Sequence, residues 1–167
     1  RVANQILVPL SDVLYVFDEP SIGLHPSENE RLIHHFKELV SKGNTVIVVE
    51  HDIDTISNAD HIIEIGPQAG VNGGDLIFNG AFADFMQRDD LQEQSPTYRA
   101  LHANTSDLSE TEQKETGKAI ELIGCHERNL KNIDVQFQLG QLNVVSGKSG
   151  AGKSSLVKET LLKAVQA

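Results

Sequence analysis

Residues Gly147 to Ser154 read G-K-S-G-A-G-K-S, which fits the pattern G-x-x-x-x-G-K-[ST]. Glycines at these spacings let backbone N–H groups converge on phosphate oxygens that side chains would obstruct. In such a loop Lys153 pairs with the β and γ phosphates of a nucleotide and Ser154 ligates Mg²⁺. A second group, Asp18-Glu19, ends the apolar run Val13-Leu14-Tyr15-Val16-Phe17. Two carboxylates at a strand end suit hydrolysis, with Asp18 holding the metal and Glu19 polarising the attacking water. His51 follows a further apolar run, Thr45 to Val49, where an imidazole can hydrogen-bond a γ-phosphate. Taken singly, these are also a Gly/Ser turn, a solvated acidic turn and a structural histidine; together they point to one phosphate chemistry.

Positioning these groups requires a sheet with both runs in it. Val13 to Phe17 reads as a strand buried on both faces, and Thr45 to Val49 as another. Between them a helix is expected from Ser27, where Ser27 and Glu30 make a capping box, to Gly43. Leu32, Ile33, Phe36, Leu39 and Val40 give that helix one apolar face. A strand–helix–strand unit joins parallel strands, so Asp18 and His51 emerge at one edge of the sheet, the edge where ligands bind in open α/β folds. Short strands are expected at 60–65 and 75–78 around a glycine-rich turn, Gly70 to Gly74, with a short helix at 81–87. Residues 119–123 and 133–137 read as paired strands, and 142–145 as the strand that feeds the phosphate loop. A helix follows from Lys153 to about Val165. The fold class is thus α/β, with a parallel core sheet and a small antiparallel part.

The order is unusual, because a phosphate loop ordinarily precedes its acidic strand, whereas here Asp18-Glu19 comes first. Asp89 to Gly117 carries seven acidic and two basic residues without sustained periodicity and reads as a linker. The expected organisation is therefore residues 1–88 as the end of one nucleotide-binding domain, 89–117 as linker and 118–167 as the start of another. The opening at Arg1, straight into core-forming sequence, fits a piece of a longer chain. Both halves hold strands that lack sheet neighbours, so they are expected to pack together, with the strands ending at Asp18 and Ser146 side by side.

The 167 residues carry a formal charge of -10, which repels a phosphate backbone, so this stretch is not expected to be a DNA-contacting surface. A lone cysteine, Cys125, makes no disulfide or CxxC pair, and the seven histidines show no metal-site spacing. No apolar run approaches the ~20 residues of a membrane helix, and a cytoplasmic protein is expected.

At these residues the chain resembles the ABC ATPases, and more closely the UvrA family. Val13 to His25 reads VLYVFDEPSIGLH, Val46 to Asp60 reads VIVVEHDIDTISNAD, and Ile65 to Gly74 reads IGPQAGVNGG. His126 to Val135, HERNLKNIDV, resembles the opening strands of that family's second nucleotide-binding domain. The resemblance implies a P-loop NTPase fold and an ATPase of nucleotide excision repair. In the first domain's site, Asp18 would hold Mg²⁺ with Glu19 and His51 as catalytic residues, and Ser21 to His25 would form the D-loop. In the second, Gly147, Lys148, Ser149, Gly150, Ala151, Gly152, Lys153, Ser154 and Ser155 would bind ATP, with Ser154 on its Mg²⁺. It further implies a parent that dimerises and works with DNA and a UvrB-type partner, with zinc, DNA-binding and signature regions outside this segment, so that no complete ATP site is expected within it. Lys148 and Ala151 depart from the family's usual TGVSGSGKST, which keeps a paralogue linked to drug self-resistance as the alternative, ahead of an exporter ATPase.

Overall fold

Thr45–Val49 is an unbroken run of β-branched residues, and it forms a strand, β2, buried at every position. The computed structural model describes residues 11–103 and 117–166 and arranges the remaining elements around that strand. On either side β2 pairs in parallel with β1 (Leu14–Asp18) and β7 (Leu142–Ser146). The other edge of β7 pairs in parallel with β3 (His61–Gly66), and β4 (Asp75–Ala81) closes the sheet antiparallel to β3. The strand order is β1-β2-β7-β3-β4. A separate antiparallel pair consists of β5 (Ala119–Cys125) and β6 (Ile133–Gln138), where paired strands are expected at 119–123 and 133–137.

Strand side chains alternate between faces, so β2 contributes to two cores. Ile47 and Val49 join Ile63, Val145, Phe137 and Leu156 on the face covered by the β5–β6 pair and the C-terminal helix. Val46 and Val48 join a second core built with α1 (Pro26–Ser41), α2 (Ile53–Ser57), α3 (Phe82–Met86) and α4 (Pro96–Ala103). There Phe85 meets Phe78 and Tyr98 edge-on, at ring separations of 5.0 and 5.8 Å.

Several expectations shift. α1 starts at Pro26, because proline suits the first helical position; His25 and Glu28 make the capping box, and Glu28 accepts the His25 N–H at 2.9 Å. Its end is as expected, with Gly43 at φ +84° just beyond. β1 is an edge strand and only half-buried, whereas β2 is apolar on both faces and gains most by covering both edges. For the same reason the strands ending at Asp18 and Ser146 are not adjacent: the two halves of the chain share one sheet, with β2 between those strands. The polar stretch begins with folded chain, a 3₁₀ turn at Asp89–Gln92 and then α4, anchored by buried Leu91, Tyr98 and Leu101. Three anchors are too few to show as a sustained period. Residues 104–116 of the expected linker lie outside the described residues. The last helix runs from the phosphate loop as a π-helical stretch, Ser155–Leu161, into α5 (Leu162–Gln166).

Candidate nucleotide site

Parallel pairing sets Asp18 opposite Val49, and Val49 opposite Val145. The carboxyl ends of β1, β2 and β7 therefore open on one edge, and Asp18-Glu19, Glu50-His51 and Ser146-Gly147 leave the sheet there. A cavity of about 440 Å³ lies at this edge. It is lined by Asp18 and Glu19 after β1, by Ser149, Gly150, Gly152, Lys153, Ser154 and Ser155 after β7, and by Gly70 and Asn129. Residues 135 positions apart in sequence, Asp18 and Lys153, thus share one space.

Other expected residues sit around it. Gly147 and Lys148 offer their carbonyls to the Lys153 ammonium at 2.9 and 3.3 Å. Ala151 is fully buried, and its carbonyl accepts the Gly74 N–H at 2.8 Å. His51 stands on the same edge but does not line the cavity; its side chain is 63% exposed. The reason is local: Asp52 caps α2 by accepting the Thr55 N–H at 2.8 Å, and the turn this imposes leaves the imidazole in solvent.

The loop's shape depends on its glycines. Gly147, Gly150 and Gly152 have φ of +134°, +76° and +117°, and a Cβ at Gly147 would sit 2.0 Å from the Ile65 carbonyl oxygen. Gly70 and Asn129 are site residues that the sequence reading missed. The Gly70 N–H donates to the Gly150 carbonyl at 3.0 Å, and Asn129 Nδ2 donates to the carbonyls of Gly70 and Gly150 at 3.1 and 3.2 Å. The turn read in Gly70 to Gly74 thus also braces the phosphate loop. Gly74 is packed so closely that a Cβ there would overlap the Asn129 carbonyl, at 1.6 Å. Two adjacent glycines in the IGPQAGVNGG run were the available signal, because such pairs mark close backbone approach.

Electrostatically the site is a buried cation facing carboxylates. Burial lowers the Lys153 pKa, and the Glu19, Asp18 and Glu50 carboxylates raise it in opposition. Asp18 pairs with Lys158 of the π-helical stretch, and this hydrogen bond and charge raise the Lys158 pKa. The donor set fits magnesium: Asp18 and Ser154 bring hard oxygen atoms to the same cavity as Lys153, beside a glycine loop open to phosphate.

Behind the phosphate loop, Glu64 of β3 is fully buried and accepts from Ser95 Oγ at 2.5 Å and from the Thr97 N–H at 3.3 Å. Burial raises its pKa above the ordinary 4.5, with the Ser95 and Thr97 hydrogen bonds opposing. A carboxyl whose folded pKa is raised favours the folded state while protonated, and that contribution is lost as pH rises through the folded value. Wild-type stability relative to Glu64→Gln should therefore fall from about pH 4.5 upward. Denaturant melts of both proteins at several pH values measure this, and parallel curves would contradict it.

No family model matches the chain. Comparison with known proteins finds "UvrABC system protein A" of Clostridium perfringens, 47% identical over 164 residues, which are 98% of this chain and 17% of that protein. The protein of the same name from Rickettsia conorii is 48% identical over 166 residues, again 98% of this chain and 17% of the relative. Among solved structures, UvrA2 from Deinococcus radiodurans is 39% identical and matches 99% of this chain and 20% of that one, with a TM-score of 0.54. The chain thus spans about a sixth of the length of these relatives.

Proposed function

This chain belongs to the UvrA family, and from that premise we propose that the full-length protein is a tandem ABC ATPase of nucleotide excision repair. Within it, this segment supplies the phosphate loop of one ATP site and the acidic strand end of another. The observation that carries the reading is that Asp18-Glu19 and the loop of Lys153 and Ser154 each leave the carboxyl edge of the parallel sheet, where they line one cavity in this chain. Lys153 is a buried ammonium held only by loop carbonyls among its hydrogen bonds, placed to balance β and γ phosphate charge. The glycine N–H groups and the start of the following helix add partial positive charge. Each in its own site of the full-length protein, Asp18 and Ser154 would hold magnesium, which when bound neutralises phosphate charge, and Glu19 would accept the proton of the attacking water in the first.

In the full-length protein residues 1–88 end the first nucleotide-binding domain and residues 118–167 begin the second, joined through 89–117. Each half then pairs with the rest of its own domain. In this chain the halves share one sheet, with β7 between β2 and β3. Names at 47–48% identity support the repair subunit over a drug-resistance paralogue. Work on DNA with a UvrB-type partner, dimerisation and a cytoplasmic location belong to the same reading. No helix among the described residues is long and apolar enough to cross a membrane.

The test is titration of this chain with a fluorescent ATP analogue. Saturable, Mg²⁺-dependent binding that unlabelled ATP displaces is expected, without useful turnover, because the signature motif that completes an ABC site is supplied from elsewhere. Binding indifferent to Mg²⁺ and to competing ATP would overturn the assignment.

A further inference from the structure

Glu50 ends the central strand β2 and is completely buried, yet it has no role in the phosphate chemistry above. Its Oε1 accepts the N–H of Ser21 at 2.9 Å, across 29 residues of sequence. Its Oε2 accepts the N–H groups of His51 and Asp52 at 2.9 and 3.2 Å. One carboxylate therefore ties the loop after β1 to the loop after β2. A buried carboxylate is costly unless its oxygens are hydrogen-bonded, and three backbone donors serve both oxygens here.

The clamp acts on the residue that matters most in the first loop. Glu19 has φ +49°, a left-handed conformation that costs a non-glycine residue stability and persists only where its surroundings enforce it. Two hydrogen bonds enforce it from either side: the Glu19 N–H donates to the Val49 carbonyl at 2.8 Å, and the Ser21 N–H donates to Glu50. Both acceptors belong to consecutive residues at the end of β2. We propose that Glu50 is a positioning residue, holding Glu19 in its left-handed conformation and setting the loop of Glu19 in register with the loop of His51. The functional half of this inference rests on the reading of Glu19 as the base; the structural half does not.

Glu50→Gln separates the two. An amide keeps one acceptor oxygen but turns an N–H₂ toward the other donors, so it can hold one loop and not both. Amide hydrogen exchange in this chain should speed up about 10-fold at Ser21, His51 or Asp52 in that variant, with the β2 and β7 core amides unchanged. Unchanged exchange at all three, or faster exchange through the core as well, overturns the clamp whatever the site does. In the full-length protein, Glu50→Gln should slow ATP turnover about 10-fold or more while nucleotide affinity stays within about threefold. The double variant Glu19→Gln, Glu50→Gln should be no slower than Glu19→Gln alone, because Glu50 acts through Glu19. Multiplying losses would overturn that route. Normal turnover in Glu19→Gln itself would instead sink the assignment of the base and leave the exchange result to judge the clamp.

Discussion

Replacing Lys153 with alanine should weaken Mg-nucleotide binding by this chain about 10- to 100-fold, the range for a charge-assisted hydrogen bond to an ionised partner. The argument begins with charge. Glu19, Asp18 and Glu50 all act on the Lys153 ammonium, so its removal leaves only negative side chains among these four groups to meet a polyphosphate. Stability should change little, because burial already disfavours the charged lysine and alanine relieves that cost while giving up bonds to two loop carbonyls. In the full-length protein, with the other site disabled, turnover should fall about 10²- to 10³-fold, since the lysine stabilises charge most in the transition state. Nucleotide titration beside a thermal melt provides the check. Unchanged affinity in a well-folded variant would refute the phosphate-loop assignment, and a collapsed melting temperature would make Lys153 a structural residue.

Much of this architecture was legible because its signals are dense. Thr45–Val49 is β-branched throughout, and its predicted limits coincide with the strand. Asp18 and Lys153 were each singled out from a motif, and the fold brings both to one cavity. What was illegible depended on distant partners. The edge position of β1 follows from β2 taking the sheet's middle, and no property local to Val13 to Phe17 announces it. α4 was hidden because Tyr98 and Leu101 stand among polar residues whose hydrogen bonds, such as Thr97 to Glu64, are long-range. His51 was read from its place after a strand, yet the direction of its ring is set by Asp52 capping the next helix. Asn129 carries no motif of its own and enters the site only because Gly70 and Gly150 approach it in space.

Replacing Glu19 with glutamine should leave ATP binding in the full-length protein intact and slow hydrolysis at that site about 10²- to 10⁴-fold, the usual contribution of a positioned general base. The substitution isolates one property. Glutamine matches glutamate in size and meets the same difficulty at φ +49°, so the backbone conformation enforced by Val49 and Glu50 is retained. The carboxylate's ability to take a proton from water is lost. Removing one negative charge from the site also reduces repulsion of the phosphates, so affinity should hold or rise slightly. Glu19→Gly would lift the backbone strain as well, and it should be equally slow in turnover if the proton acceptor is what matters. Single-turnover hydrolysis measured beside nucleotide affinity distinguishes the outcomes. Equal losses of binding and turnover would make Glu19 an organiser of the metal or the loop, and unchanged turnover would place the base elsewhere.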